Sequence, residues 1–131
     1  MEVASVVAAA IAGYVLGALW YMVLGKPWMA AAGIEAGEDG RPKQGMGAMT
    51  YLLAFIAMLL VAGMIRHVLA QAGIVSPAKA GLAGLGLGLF VASPWIMLNN
   101  AFGGRPFRLT LIDGGYASLG CGLIAVVVAL I

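Results

Sequence analysis

The chain has 131 residues, of which 63% are hydrophobic and 9% are charged, and its formal net charge is +2. A water-soluble domain carries about 25% charged residues because its surface has to be solvated, so this composition excludes a soluble fold. We therefore predict an all-α integral membrane protein whose main surroundings are the lipid bilayer. Its few Lys and Arg residues are scattered rather than grouped in a stripe, which argues against nucleic acid as a partner.

Four apolar blocks predict a bundle of four transmembrane helices, arranged as two helical hairpins in a single domain over residues 1–131. Each block has about 20 residues or more, the length that crosses a bilayer core of roughly 30 Å as a helix. The first block is longer than the apolar core of a cleaved signal peptide, so we interpret it as a retained span. The predicted spans cover residues 3–24, 46–65, 80–100 and 110–131.

The connections between the predicted spans differ in length. Pro27 disfavours helical backbone at Lys26, so we expect the first span to end near Leu24. A charged loop over residues 25–45 follows it. The turn over residues 103–106 is so short that the third and fourth spans should be antiparallel neighbours.

Basic residues predict the orientation of the bundle, because short loops rich in Lys and Arg stay in the cytoplasm. The first and third loops share one side and hold Lys26, Arg41, Lys43, Arg105 and Arg108. The opposite side holds only Arg66 and Lys79. We therefore expect a cytoplasmic first loop, two non-cytoplasmic termini and residence in a bacterial inner membrane.

Small residues recur every four positions in three of the predicted spans. This spacing places them on one face of a helix, where the missing side chains let a second backbone come close. The three stripes are Ala9, Gly13 and Gly17; Gly84, Gly88 and Ala92; and Gly114, Ser118 and Gly122. They predict close helix packing, either within the chain or between chains.

Polar residues gather near the side that carries the first and third loops. The candidate polar cluster consists of Trp20, Tyr21, Tyr51, Asn99, Asn100, Arg105, Arg108, Asp113 and Tyr116. One interpretation is a polar cavity that opens to the cytoplasm. The other is a belt of aromatic and amide side chains at one membrane interface, and we favour the belt because such belts are common at helix ends.

Asp113 is the one charged residue inside the apolar blocks. With Thr110 as N-cap, its carboxylate would lie in the first turn of the last helix and could pair with Arg105 or Arg108. If Pro106 is instead the first helical residue, Asp113 lies about 10 Å along the helix and becomes a candidate functional carboxylate. We favour the cap because it satisfies backbone donors without burying a charge.

No residue pattern predicts a catalytic residue, a cofactor or a metal site. Cys121 is the only cysteine, which rules out a cysteine-based metal cage. Pro94 interrupts the third span and is interpreted as a kink rather than a broken helix, since membrane helices tolerate proline. His67 is a lone histidine beside Arg66 and is not expected to bind a ligand.

Two motifs resemble those of a bacterial family of small membrane proteins, the family of domain of unknown function 1761. They are Gly17-Ala18-Leu19-Trp20-Tyr21 with Gly25-Lys26-Pro27-Trp28-Met29, and Leu111-Ile112-Asp113-Gly114-Gly115-Tyr116. The resemblance extends to the layout of four spans, a long first loop and a short last turn. Ala117 and Ser118 follow the second motif where many members are expected to have a histidine, so the resemblance implies no histidine site here.

The favoured functional hypothesis is a non-enzymatic membrane protein that works by helix packing, as a homo-oligomer or as an accessory subunit of another membrane protein. The alternative is a transporter or channel for a small solute, a proton or an ion, with a polar path around Asp113. An enzyme is not expected, because the chain lacks the paired carboxylates, His or Cys that acid–base or nucleophilic catalysis uses.

Overall fold

A computed structural model describes residues 2–43, 45 and 47–131 of the chain. This part folds into α1 (Glu2–Val23), α2 (Gly25–Ala32), α3 (Ala48–Ala72), α4 (Pro77–Leu87), α5 (Ser93–Phe102) and α6 (Phe107–Leu130), with a π-turn at Gly88–Ala92. Four segments are long and apolar enough to cross a membrane: Val3–Val23, Ala48–Ala72, Pro77–Phe102 and Phe107–Leu130. The predicted all-α bundle of four spans is confirmed.

The ends of the spans differ from the predicted ones. α3 continues beyond Arg66 and His67 to Ala72, where Gly73 ends the helix in the left-handed conformation with a φ of 69°. Long basic side chains do not end a helix, because their stems lie along apolar surface while their charged ends reach the interface. The third span begins at Pro77, behind Ser76 as N-cap. Met46, the predicted start of the second span, and Met1 lie outside the described residues.

The prediction of a loop directly after the first span is wrong over its first part. α2 begins at Gly25, with only Leu24 between it and the end of α1, and runs to Ala32. Pro27 lies in its first turn, where backbone N–H groups have no partner inside the helix, so the missing N–H costs nothing there. Gly33 ends α2 with a φ of 75°.

α6 is the central helix of the bundle and contacts every other helix, including α2. α1 and α6 run antiparallel, since Gly13 packs near Ile124 and Gly17 near Tyr116. The third span and α6 are also antiparallel neighbours, as expected from the short turn between them. We call the end of the bundle that carries α2 and the α5–α6 turn the loop side.

Small residues bring the third span and α6 into backbone contact. A methyl group on Gly84 would overlap the Cys121 carbonyl, and one on Gly88 would overlap the Ala117 carbonyl. In α1, a Cβ on Gly17 would lie 2.6 Å from the Tyr116 hydroxyl oxygen. Gly114 lies against Ser93, Gly122 near Gly81 and Leu85, and Ser118 is buried. The stripes therefore pack within the chain, and they give no evidence for packing between chains.

The third span passes through Pro94 without a break. In the π-turn that precedes it, the Ser93 N–H donates to the Gly88 carbonyl oxygen, five residues back. The wider turn accommodates the proline, which lacks an N–H group and whose ring clashes with the preceding turn of a regular α-helix.

The apolar core lies in the half of the bundle away from the loop side. It consists of Ala9, Ala10, Ala62, Ile65, Leu69, Ala80, Ile124 and Ala125. α3 contributes to it only through its second half, and its residues 48–54 are exposed. α5 has no buried residue. On the loop side, the bundle is therefore held mainly by contacts of α1, α5 and α2 with α6.

Candidate functional site

The candidate site is a carboxylate and a phenol that meet between α1 and α6. The Tyr21 hydroxyl donates a hydrogen bond of 2.6 Å to Oδ1 of Asp113. Tyr21 is the third residue from the end of α1, and Asp113 is the seventh residue of α6. Because the two helices are antiparallel, these positions lie at the same depth, on the loop side of the bundle.

The predicted cap at Thr110 is wrong. α6 begins at Phe107, and the residue before it is Pro106, whose extended backbone starts the helix without a side-chain cap. Thr110 is buried inside the helix and accepts a hydrogen bond of 3.1 Å from Nδ2 of Asn100. Asp113 therefore lies about 9 Å along α6, well beyond the first turn in which a helix dipole favours an acid.

The predicted ion pair of Asp113 with Arg105 or Arg108 does not form. Arg105 instead donates from Nη1 to the carbonyl oxygen of Ala32, the last residue of α2. Arg108 is exposed and precedes Asp113 by five residues, which places the two side chains on different faces of α6. Within the described residues, no basic side chain lies at ion-pair distance from Asp113.

The same helix interface holds two further hydrogen bonds from aromatic side chains. Nε1 of Trp20 donates to the carbonyl oxygen of Ile112 at 2.9 Å. The Tyr116 hydroxyl donates to the carbonyl oxygen of Gly13 at 2.7 Å, and the Met58 sulfur lies 3.5 Å from the same hydroxyl. These bonds fix the rotation of α1 against α6 and so hold Tyr21 opposite Asp113.

Tyr21, which bonds the carboxylate, packs between two further aromatic rings. The Tyr21 ring contacts Trp28 edge-on with a centroid distance of 5.5 Å, and it contacts Tyr116 in the same way at 5.6 Å. Trp28 comes from α2, which lies on the loop side of the site. The bond from Arg105 to Ala32 joins the end of α2 to the turn that precedes α6.

The residues of the predicted polar cluster therefore do not come together at one site but lie in several parts of the bundle. Trp20, Tyr21, Asp113 and Tyr116 come together between α1 and α6. Asn100 bonds Thr110 between α5 and α6, while Asn99 is exposed on α5. Tyr51 is 55% exposed on the part of α3 that does not pack against the bundle. Aromatic and polar residues at the same depth thus face different directions around the bundle.

Ser93, which was not among the predicted site residues, links the third span to α6. Its hydroxyl lies 2.8 Å from the Gly88 carbonyl oxygen, 3.0 Å from the Gly114 carbonyl oxygen and 3.2 Å from Oγ of Ser118. The signal was present, since serine hydroxyls often bond backbone carbonyls freed near a proline in membrane helices. Trp28 was not predicted to belong to the site, because nothing local in the sequence shows that it reaches Tyr21.

Asp113 retains free acceptor capacity. Tyr21 occupies Oδ1, and Oδ2 receives no hydrogen bond from any described residue. Every fully buried side-chain nitrogen or oxygen in the described ranges has a partner, so Oδ2 is not fully buried. A carboxylate that is half-buried, paired with a neutral phenol and open on one oxygen can receive a proton or a cation.

The match to a known family agrees with this architecture. A family model described as a protein of unknown function, DUF1761, matches residues 4–129. The chain belongs to the DUF1761 family. No curated protein and no solved structure matches it. The resemblance expected from the two motifs is confirmed, and in this DUF1761 member both motifs contribute directly to the site.

The two motifs of this DUF1761 member face each other across the α1–α6 interface. The first supplies Trp20, Tyr21 and Trp28, and the second supplies Asp113 and Tyr116. Among the described residues, no group of three or more His, Cys, Asp or Glu could hold a metal ion. The groups that the site offers to a ligand are one carboxylate, phenol hydroxyls and aromatic rings.

Proposed function

We propose that the protein is a non-enzymatic membrane carrier in which Asp113 binds a proton or a cation in alternation. The observation that supports it is the position of Asp113, within a membrane span and hydrogen-bonded to Tyr21 rather than paired with a basic side chain at the rim. An ionisable residue inside a span is costly and is characteristic of ion and proton sites.

The hydrogen bond from the Tyr21 phenol supports exchange of a proton or a cation at Asp113 over a permanent structural role for the carboxylate. A hydroxyl stabilises a carboxylate by hydrogen bonding, but it leaves the negative charge uncompensated, whereas an arginine would neutralise it. The low-dielectric surroundings therefore favour a bound proton or cation at Asp113. Because Oδ2 is not fully buried, we infer that either can reach and leave Asp113 without unpacking of the bundle.

A carrier of this size needs a partner or a moving helix, since four helices seldom enclose a path alone. We propose that the working unit is an assembly, either of this chain with itself or with another membrane protein. α5 supports this second part of the proposal, because it has no buried residue and carries Asn99 exposed within a span. An amide facing lipid is costly, and a neighbouring helix would give it a hydrogen-bond partner.

Proton efflux from liposomes tests the carrier. Acid-loaded proteoliposomes containing a trapped pH dye are given external Na⁺, K⁺, tetraethylammonium or tetraphenylphosphonium. We expect at least one of these cations to accelerate proton efflux, and Asp113→Asn to reduce the rate to that of protein-free liposomes. Asp39→Asn makes the same chemical change in the exposed first loop and should keep the wild-type rate.

The carrier proposal fails if none of the four cations gives efflux that depends on Asp113. Native mass spectrometry and crosslinking in the bilayer test the assembly separately. Only monomers and no co-purifying membrane protein would contradict an assembly, and would leave the result on Asp113 unaffected.

A further inference from the structure

The aromatic rings at Asp113 indicate which class of cation the site accepts. The Tyr21 ring contacts both Trp28 and Tyr116 edge-to-face, at centroid distances of 5.5 and 5.6 Å. Tyr21 also carries the hydroxyl that bonds the carboxylate. The negative charge and the aromatic group therefore form one continuous site on the loop side of the bundle.

The donor set is unsuited to a bare metal ion. Hard cations such as Ca²⁺ or Mg²⁺ need about six oxygen ligands in place of their hydration shell. Near Asp113 the described residues offer one carboxylate and tyrosine hydroxyls, and the Tyr116 hydroxyl already donates to Gly13. A metal ion would have to keep most of its water next to apolar rings, which is unfavourable.

An organic cation has the opposite requirements. It needs one counter-charge, no set of oxygen ligands, and apolar surface for its carbon groups. Faces of Trp and Tyr rings attract such cations through the ring quadrupole, most strongly where water is excluded. A carboxylate beside Tyr and Trp rings supplies all of these together.

We propose that the site at Asp113 binds a monovalent organic cation with alkyl or aromatic substituents. The Asp113 carboxylate is its counter-charge, and the rings of Tyr21, Trp28 and Tyr116 contact its apolar groups. This rests on the proposed exchange at Asp113 and names its substrate class. Charge balances in the exchange because one proton leaves Asp113 as one monovalent cation binds.

α2 controls access to this site from the loop side. Trp28 lies against Tyr21, and the end of α2 is held to α6 by the bond from Arg105 to Ala32. A cation that enters from this side passes α2 and is then covered by Trp28. Trp28 therefore contributes to affinity through its ring, and Asp113 makes the larger contribution through its charge.

Two probes of equal shape and opposite charge test the substrate class. Tetraphenylphosphonium and tetraphenylborate are titrated by isothermal calorimetry into the detergent-solubilised full-length protein. We expect tetraphenylphosphonium to bind and to release protons into weakly buffered solution, and tetraphenylborate not to bind. Asp113→Asn should weaken tetraphenylphosphonium binding at least tenfold.

Matched tryptophan variants test whether the aromatic ring at the site contributes to binding, rather than the hydrophobicity of the protein in general. Trp28→Leu should weaken tetraphenylphosphonium binding about fivefold. Trp95→Leu, which changes a 63% exposed ring on α5 outside the site, should leave binding unchanged. A carbodiimide that modifies membrane carboxyl groups gives a second measurement on the wild-type chain, and tetraphenylphosphonium should protect Asp113 from it.

Three results would overturn the substrate class. They are equal binding of the two probes, tetraphenylphosphonium binding that Asp113→Asn weakens less than tenfold, and carbodiimide labelling of Asp113 that tetraphenylphosphonium does not reduce. Efflux that depends on Asp113 and is driven by Na⁺ or K⁺ but not by tetraphenylphosphonium would also reject it while leaving the carrier intact. If no cation gives such efflux, the proposed function itself fails.

Discussion

Gly88 of the third span lies directly against the backbone of α6 at Ala117 and Ser118. The two backbones are in direct contact at this point, and any Cβ on Gly88 would overlap the Ala117 carbonyl. Such close approach strengthens van der Waals contact between membrane helices, where no hydrophobic driving force acts between them. The position also adjoins the π-turn and the hydroxyl of Ser93, so several features depend on it.

Replacing Gly88 by alanine should destabilise the bundle, whereas the same change two residues earlier should not. The added methyl group meets rigid backbone at Gly88, so we expect a loss of about 1–3 kcal/mol in the free energy of unfolding. Gly86→Ala is the matched control, since nothing lies within 4 Å of a Cβ there. Thermal unfolding of both variants in detergent measures the difference. Equal stability would mean that the two helices separate at little cost.

Tyr21 and Asp113 should be energetically coupled. Their hydrogen bond links two helices inside a membrane, where such bonds contribute about 0.6–2 kcal/mol. We expect Tyr21→Phe and Asp113→Asn to have non-additive effects on unfolding in denaturing detergent, with a coupling energy in that range. The pair Tyr14→Phe and Asp113→Asn serves as the control, because the Tyr14 ring packs against Phe55 instead. Additive effects in the Tyr21 pair would show that the bond contributes nothing to stability.

Arg105 should hold α2 in place, and Arg108 should not. Arg105→Ala removes the donor to the Ala32 carbonyl, whereas Arg108 is an exposed neighbour of the same charge. We expect amide hydrogen exchange over residues 25–34 to accelerate about tenfold in Arg105→Ala and to remain unchanged in Arg108→Ala, since one hydrogen bond from a charged group is worth about 1.5–3 kcal/mol. Mass spectrometry on protein in lipid nanodiscs measures this exchange. Equal exchange in the two variants would mean that other contacts secure α2.

The predicted orientation can be tested by labelling in intact bacterial cells. In a Cys121→Ser background, Glu38→Cys places a thiol in the first loop and Val75→Cys places one in the 84% exposed turn on the opposite side. We expect a membrane-impermeant maleimide to label the Val75→Cys variant in intact cells and the Glu38→Cys variant only after lysis. The reverse pattern would place the loop side outside the cytoplasm and reject the orientation derived from the basic residues.

The four spans were predictable because their signal is local: a run of apolar residues of sufficient length is visible in any window of the chain. Their ends were less predictable. The start of α6 depends on whether Pro106 or Thr110 precedes the first turn, and both residues fit a plausible helix start. α2 was missed because eight residues around a proline give a weak local signal.

The site was only partly predictable for a different reason. Asp113 and Tyr21 were each recognisable as unusual near the end of a span, but the bond between them joins positions 92 residues apart. Depth along a helix can be read from a sequence, whereas the direction that a side chain faces depends on which helix packs beside it. Asn99 and Tyr51 lie near the same side of the membrane as Asp113, yet they are exposed away from the site.

The central position of α6 has a consequence for biosynthesis. Ribosomes deliver the four spans in order, so α1, α3 and α4 enter the membrane before the helix that most of them pack against. Until α6 arrives, the Gly84 and Gly88 face and the Tyr21 hydroxyl meet only lipid or the insertion machinery. Slow synthesis or premature termination before Phe107 would therefore leave partly assembled chains exposed to membrane proteases. Quality control of this protein should respond to the delivery of its last span more than to any earlier one.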